Sequence, residues 1–475
     1  MRRPIAPPES LPHQVEGTAF LRENERAALF DEQGLGKSKQ LIDAIVGEVA
    51  VGSIQCALII CPNTLKQTWA DEIERFSGAK YAVFGSGKKA RRLAFSSLRA
   101  TFYVINYEAV ASELTSLRAL AQFKHMALVL DESHRIKTPE SKVTKAILAL
   151  RTSAARRYIL TGTPVANKPE DLWSQMLFLD DGAALGETFQ QFQARYATGS
   201  GGYRNVEELR GQVAELSLRR TKATSLNLPP KHYVRIGIPL AARQQVLYDQ
   251  LRTELAVWVQ SLSGEQIRKE AEAVLARIVR LAQFASNPAL IDAGYDETPA
   301  KVAELDLLLE RYIVGESRKV IVWSSFVGNI KALVARYSRF SPVSIFGEQQ
   351  AHERTNSVSR FRNDAEVRLL IANPAAAREG LTLTEASVAI YLDRTFNLVD
   401  YLQSQDRIHR ISQTRECDIV LLIGASTIDE FIDFSLEQKH RLASFTQSDR
   451  EHIDEVDLAL EKPDLLRALI APAVA

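Results

Sequence analysis

The stretch Ala27-Ala28-Leu29-Phe30-Asp31-Glu32-Gln33-Gly34-Leu35-Gly36-Lys37-Ser38 joins a short apolar run to a glycine-bearing turn, and Lys39 to Val49 continues with helical spacing. Strand, tight turn and helix in that order gather backbone N–H groups around a helix N-terminus, whose partial positive charge makes the junction a concave anion site. Gly34 and Gly36 line such a loop, Lys37 stands where an ammonium reaches the β- and γ-phosphates of a nucleoside triphosphate, and Ser38 offers a hydroxyl to Mg2+. The strict form of the pattern has glycine where Asp31 stands. On this stretch alone, a glycine-rich turn that only caps a helix stays open.

The same rhythm recurs outward from the loop. Short apolar runs, each bounded by polar residues and followed by a helix-like stretch, occur at Ala57–Cys61, Phe102–Ile105, Leu128–Leu130 and Tyr158–Leu160. A second series follows at Val320–Trp323, Val343–Phe346, Leu369–Ala372, Val388–Leu392 and Ile419–Ile423. Runs of this length with crossover helices read as buried parallel sheets, so the fold class is α/β, with two parallel-sheet lobes. Between them, residues 182–297 break the rhythm and read as largely helical, with a glycine-rich tract at Gly199–Gly202 and the stiff Pro229-Pro230 pair. The expected division is a first lobe over 1–231 with a helical protrusion at about 182–222, a helical insert or linker over 232–297, a second lobe over 298–448, and a helix and tail over 449–475. No fixed-period repeat is visible.

A chain of 475 residues exceeds one hydrophobic core, at roughly 150 residues per domain. With 46% hydrophobic and 25% charged residues it has the composition of a globular protein, which argues against disordered and fibrous classes. The net charge is +1, from 59 Lys+Arg and 58 Asp+Glu, so a polyanion has to be held by a local groove rather than by a global field. Cys56, Cys61 and Cys417 form no CxxC pair and read as buried thiols of a reducing compartment. No apolar stretch reaches the roughly 18 residues of a membrane span, and prolines break the start MRRPIAPPESLP before a signal-peptide core forms, so a cytoplasmic protein without membrane contact is expected.

Two further elements bear on the loop. Leu128-Val129-Leu130-Asp131-Glu132-Ser133-His134 is an apolar run ending in two acids, at the strand end where open α/β sheets bind ligands. Asp131 suits a magnesium shell, and Glu132 can orient or deprotonate an attacking water. Taken singly, such a pair also fits a solvated turn or a helix cap. In the other lobe, Gln403-Ser404-Gln405-Asp406-Arg407-Ile408-His409-Arg410 places Arg407 and Arg410 three apart, on one face of an expected helix, where both could reach phosphate. An arginine finger of this kind is worth about 10³–10⁵ in rate, though an arginine pair on a helix is also the pattern of a solvated ion-pair face.

With these elements in order, the chain resembles the SWI/SNF-type ATPases of helicase superfamily II from Leu11 to about Lys439. Leu11-Pro12-His13-Gln14-Val15-Glu16-Gly17 is similar to the family's entry motif, whose glutamine, here Gln14, reads adenine. DEQGLGKS resembles its motif I, where an acid normally replaces the first glycine. Ile59 to Leu65 with Trp69 and Glu72 is similar to motif Ia, and Asn106-Tyr107-Glu108 to motif Ib. Asp131 to Lys142 and Thr161 to Leu179 resemble motifs II and III. Leu218-Arg219-Arg220-Thr221-Lys222 with Leu228-Pro229-Pro230-Lys231 is similar to the segment that ends the family's first lobe. Val320 to Ser325 resembles motif IV, Arg378 to Thr384 through Asp393 motif V, and Gln403 to Gln413 motif VI.

The resemblance implies RecA-like lobes, ATP and Mg2+ as cofactors, and double-stranded DNA as partner. It assigns catalysis to Glu132, Asp131, Arg407, Arg410 and Gln403, and nucleotide contacts to Gln14, Gly34, Gly36, Lys37, Ser38, His134 and Gly380, with Ser38 and Asp131 on the metal. DNA contacts fall on Pro62, Asn63, Thr64, Asn106, Tyr107, Ser324, Ser325, Thr382 and Thr384. Motif V departs from the family at Glu379-Gly380-Leu381-Thr382, where many members carry more glycine and an asparagine; Ser133 and Ser412 also replace commoner small residues. The insert is short for the family and leaves no room for an accessory histone-reading, zinc or DNA-binding module, so nucleosome remodelling is not expected. The expected activity is translocation along duplex DNA driven by ATP, by a monomer whose setting is fixed by unidentified protein partners. A strand-separating helicase on DNA or RNA and a nucleotide-gated DNA clamp with little turnover are the alternatives. The charge run Lys88 to Arg92 reads as a solvated helix face, and Trp173 as core.

Overall fold

The apolar runs are strands because their β-branched and aliphatic side chains are buried on both faces, as in Cys56–Cys61, where every residue is inaccessible. The structure, a computed structural model, describes residues 9–449 apart from 86, 98, 199–201, 263–265, 267–269, 377–380 and 448. Two units are present: one ends at Asn227 and also takes in the chain from Lys439, and the other runs Leu228–Gln438.

The first unit holds β1 (Arg26–Leu29), β2 (Cys56–Cys61), β3 (Tyr81–Val83), β4 (Phe102–Asn106), β5 (Met126–Asp131), β6 (Arg156–Leu160) and β7 (Ser217–Leu218), all parallel, in the order β3-β4-β2-β5-β6-β1-β7. Leu41, Ile45 and Trp69 from the flanking helices cover one face of this sheet, against Leu29, Ile59 and Val129. The second unit holds β8 (Lys231–Ile238), β9 (Lys319–Trp323), β10 (Val343–Ile345), β11 (Leu369–Ala372), β12 (Ala386–Tyr391) and β13 (Cys417–Gly424), also parallel, in the order β10-β11-β9-β12-β13-β8. Helices on both sides bury Leu305, Leu309 and Ile330 on one face and Val358 and Phe361 on the other, where Ile408 joins them from a turn.

The structure refines three expectations. The 182–297 segment, expected to be largely helical, also carries β7 and β8. As the outermost strand, with Tyr233, Val234 and Arg235 exposed, β8 needs no apolar run to pair with β13 and so leaves no apolar signal. The division falls at Asn227/Leu228, a few residues before the expected Lys231. The helices Ala242–Gln260 and Ala271–Ser286 belong to the second unit instead of forming a separate insert: Gln244 donates to Phe284 O at 3.0 Å, the Tyr248 hydroxyl accepts from Ile428 N–H at 2.8 Å, and Ser286 donates to Asp393 at 3.0 Å.

Asp393, just past β12, is buried and accepts from Ser286 Oγ at 3.0 Å, Ser324 Oγ at 2.7 Å, Asn329 Nδ2 at 3.2 Å and the Ser325 N–H at 2.6 Å. It thereby ties the end of Ala271–Ser286 to the turn after β9. Replacing it by alanine strands these buried donors, so Asp393→Ala is expected to destabilise the chain by about 3 kcal/mol in urea denaturation. An unchanged midpoint would show that the network is not a structural tie.

Candidate nucleotide-binding site

Parallel pairing aligns the carboxyl ends of three strands. Leu29 of β1 and Asp131 of β5 both pair with Leu160 of β6, so Phe30-Asp31, Thr161 and Asp131-Glu132 leave the sheet side by side. The loop after β1 runs into the helix Lys37–Ala50, whose first turn is capped by Gly36 without any side-chain acceptor. Gly36 has φ +78°, a left-handed backbone that favours glycine, and a Cβ there would displace the Gln14 amide, whose Nε2 would lie 2.4 Å away. The Leu35 carbonyl accepts from Gln14 Nε2 at 3.3 Å and Gln40 Nε2 at 3.2 Å, and lies 3.0 Å from a His13 ring nitrogen, which binds the entry-motif helix to the loop.

Lys37 Nζ donates to the carbonyls of Asp31 at 2.7 Å and Glu32 at 3.4 Å. Burial holds its ammonium below the usual lysine range, although Glu132, Asp31 and Asp131 pull the other way. Ser38 follows, half-buried, on the first helical turn. Asp31 faces elsewhere. Its carboxylate is inaccessible and takes a two-pronged bond from Arg220, Nε to Oδ1 at 3.0 Å and Nη2 to Oδ2 at 2.6 Å, with Gln40 Nε2 at 3.1 Å. The acid in the first-glycine position therefore braces the loop from behind.

Asp131 receives the Trp69 indole N–H at 2.8 Å. Burial, and then repulsion from Glu132, push its carboxyl up to about 7. Glu132 has φ +54°, a left-handed conformation that costs a non-glycine residue energy and is tolerated where the surroundings impose it. Gln33 Nε2 at 3.4 Å, Thr161 Oγ1 at 3.4 Å and His134 Nδ1 at 3.4 Å surround its carboxylate. His134 also lies 3.4 Å from Thr161, and Ser133 Oγ donates to Gln175 Oε1 at 2.6 Å, so motifs II and III are wired together. Trp173 is buried, its N–H on Gly186 O at 2.9 Å.

The residues expected at DNA divide by exposure. Asn63 and Thr64, beyond β2, are exposed, and Asn106 is half-buried with its amide on Glu108 at 2.7 Å. Pro62 and Tyr107 are buried, and the Tyr107 hydroxyl donates to Asp131 O at 2.8 Å. In the second unit Ser324 is inaccessible on Asp393, whereas Ser325 is half-buried. Pro62, Tyr107 and Ser324 are thus buried, whereas Asn63, Thr64, Asn106 and Ser325 reach solvent at least in part.

Motifs V and VI meet within the second unit. Thr382 accepts from Arg410 Nη1 at 3.0 Å, Thr384 lies 2.8 Å from Ser412 Oγ, and Gln413 Nε2 donates to Thr384 O at 3.2 Å. Arg407 and Arg410, expected on one face of a helix, both lie past the helix end. The helix is Leu398–Gln405, containing the buried Gln403, and residues 406–412 are turns. The chain turns there so that Arg407 O can accept from Leu383 N–H at 2.8 Å while Ile408 enters the core. Arg407 is buried with Nη1 on Leu381 O at 3.2 Å; Arg410 is half-buried. Gly380, expected at the nucleotide, lies outside the described residues.

Sequence reasoning missed Arg220, Lys222 and Gln33. The buried Lys222 sets its backbone N–H on Glu32 Oε2 at 2.7 Å. The adjacent Arg219 and Arg220 beside a short strand were the available signal.

Family models of the SNF2-related domain and of the helicase conserved C-terminal domain match residues 13–290 and 301–412. The chain is 27% identical over 458 residues to the chromodomain-helicase-DNA-binding protein 1-like of Danio rerio, covering 91% of this chain and 43% of that protein. It is 27% identical over 447 residues to the SWI/SNF-related matrix-associated actin-dependent regulator of chromatin subfamily A-like protein 1 homolog of Caenorhabditis elegans, covering 90% and 60%. The chain spans about half the length of the curated relatives it matches. The Sulfolobus solfataricus SWI2/SNF2 ATPase core solved in complex with dsDNA aligns at 26% identity and a TM-score of 0.45, over 94% of this chain and 95% of that one.

Tyr107→Phe tests the buried assignment. Loss of the hydroxyl leaves Asp131 O without that donor and is expected to lower stability by about 1 kcal/mol, with duplex affinity unchanged to within about twofold. A large fall in affinity at unchanged stability would return Tyr107 to the DNA surface.

Proposed function

The chain belongs to the SNF2-related family, with a helicase C-terminal domain, and from that premise we propose that it hydrolyses ATP to move along double-stranded DNA. The observation that supports this most is the row of strand ends in the first unit, which sets Lys37, Asp131 and Glu132 around one loop. Lys37, held on two backbone carbonyls, exchanges them for the β- and γ-phosphates, and the uncapped first turn of Lys37–Ala50 supplies N–H donors. Gly34 and Gly36 let the backbone approach, Gln14 borders the same loop, and His134 stands beside Glu132 and Thr161 as a proposed nucleotide contact. A strand end whose acid is pushed up by burial and by a second carboxylate suits a divalent cation, so Asp131 and Ser38 would hold one Mg2+, which would offset phosphate charge. Glu132, oriented by Gln33, Thr161 and His134, takes the proton of the attacking water.

The second unit contributes Arg410 as the finger, because it is accessible and its Thr382 bond can be exchanged for phosphate. Arg407 and Gln403, both buried, shape the turn that carries it, and Gly380 is a proposed nucleotide contact. DNA phosphates are gripped through Asn63, Thr64, Asn106, Ser325, Thr382 and Thr384, with little sequence preference and steep salt dependence. Among the described residues no helix is long and apolar enough to cross a membrane. The proposal is of a monomer working in the cytoplasm, with protein partners setting its task.

The test is ATP turnover with no nucleic acid, duplex DNA, single-stranded DNA and RNA, beside displacement of a triplex-forming strand. Duplex stimulation with displacement and no melting is expected, and Glu132→Gln should bind ATP yet turn over about 10²–10⁴ times more slowly. Stimulation only by single strands or RNA would make the chain a strand-separating helicase. Background turnover at saturating DNA would make it a clamp.

A further inference from the structure

The segment that leaves the first unit is fastened to the phosphate loop. Arg220 clamps the inaccessible Asp31, donates to Gln40 Oε1 at 2.8 Å and bonds the His13 carbonyl, while Lys222 N–H holds Glu32 at 2.7 Å and Glu32 N–H returns to Arg220 O at 2.9 Å. Arg219 Nη1 reaches Phe30 O at 2.5 Å. The room for this is made by Gly17, where a Cβ would lie 1.7 Å from Gln40 Oε1 and 2.6 Å from Arg220 Nη2. Farther along, the same connector is fastened within the second unit to motif VI and β13: the Pro229 carbonyl lies 2.9 Å from His409 Nε2, Tyr233 OH donates to Gln405 Oε1 at 2.7 Å, and Cys417 N–H of β13 donates to Pro230 O at 3.0 Å. Residues 223–228 join the two anchorages.

We propose that Arg220 is a positioning residue for ATP turnover: clamped on Asp31, it makes the shape of the phosphate loop and the course of the chain entering the second unit depend on each other. The Arg220 and Asp31 side chains bond each other, Gln40 and the His13 carbonyl behind the loop. A two-pronged guanidinium–carboxylate bond fixes both distance and plane, which a single hydrogen bond does not. When the loop reshapes around phosphate and Lys37 leaves the carbonyls of Asp31 and Glu32, the displacement is handed to Arg220 and Lys222. The connector then carries it to the turn bearing Arg410. This rests on the ATPase reading above.

The test uses Arg220→Lys, which keeps the charge and loses the fork, and the double variant Asp31→Asn/Arg220→Met, which removes both charges so that neither is left buried alone. Melting temperature certifies folding. Turnover with duplex DNA is expected to show a kcat at least about tenfold lower with KM for ATP within about threefold. Amide exchange across residues 217–227, measured with and without a non-hydrolysable ATP analogue, is expected to slow at least about fivefold on binding in the native chain, but not in either variant. Folded variants with native kcat would overturn the proposal. So would a native chain in which the analogue protects Lys37–Ala50 and leaves 217–227 unchanged. A native chain that binds the analogue without turnover would sink the ATPase reading, while the exchange comparison would still decide the coupling.

Discussion

The parallel register that stands Leu29, Leu160 and Asp131 side by side is the constraint on which the first unit's chemistry depends. Strand ends in a parallel sheet release their chains on one edge, so a lysine from one loop and two acids from another come together without long-range design. A slip of one residue in β5 against β6 would turn Asp131 to the opposite face and break the arrangement. The buried Ile59, Val129 and Tyr158 in the layer beneath resist that slip.

The groups gathered there would be unfavourable if left alone. Two adjacent carboxylates and a desolvated ammonium are balanced by directed polar contacts: Trp69 on Asp131, Gln33 and Thr161 on Glu132, and backbone carbonyls on Lys37. Each contact fixes a direction as well as offsetting charge, and the left-handed backbone at Glu132 shows that the surroundings override local preference. Asp31 is the separate case. Where a tighter phosphate loop uses glycine, this chain places a buried acid facing away from the loop and binds the lobe's last segment to it.

Much of this was legible in the sequence because buried parallel strands need continuous apolar runs, and the runs at Ala57–Cys61 and Leu369–Ala372 overlie β2 and β11 closely. β8 was illegible because an exposed edge strand carries no such run. Residue types at Lys37, Asp131 and Glu132 declare their chemistry. Orientation does not: nothing in the letters of Tyr107 or Ser324 says that one hydroxyl points to Asp131 O and the other to Asp393. The arginines of motif VI have helical spacing but sit past the helix end, where the core's need for Ile408 governs the backbone.

The central claim is that Lys37, Asp131, Glu132 and Arg410 act on one triphosphate. A crystal structure of the chain bound to duplex DNA with ADP, Mg2+ and a fluoroaluminate in place of the transferring phosphoryl group tests it most directly. The account predicts Lys37 Nζ released from the carbonyls of Asp31 and Glu32 and bonded to the phosphate mimic, with Asp131 at the cation, Glu132 at the attacking water and Arg410 at the fluoroaluminate. Nucleotide bound elsewhere, or Lys37 still on those carbonyls with the analogue present, would contradict it.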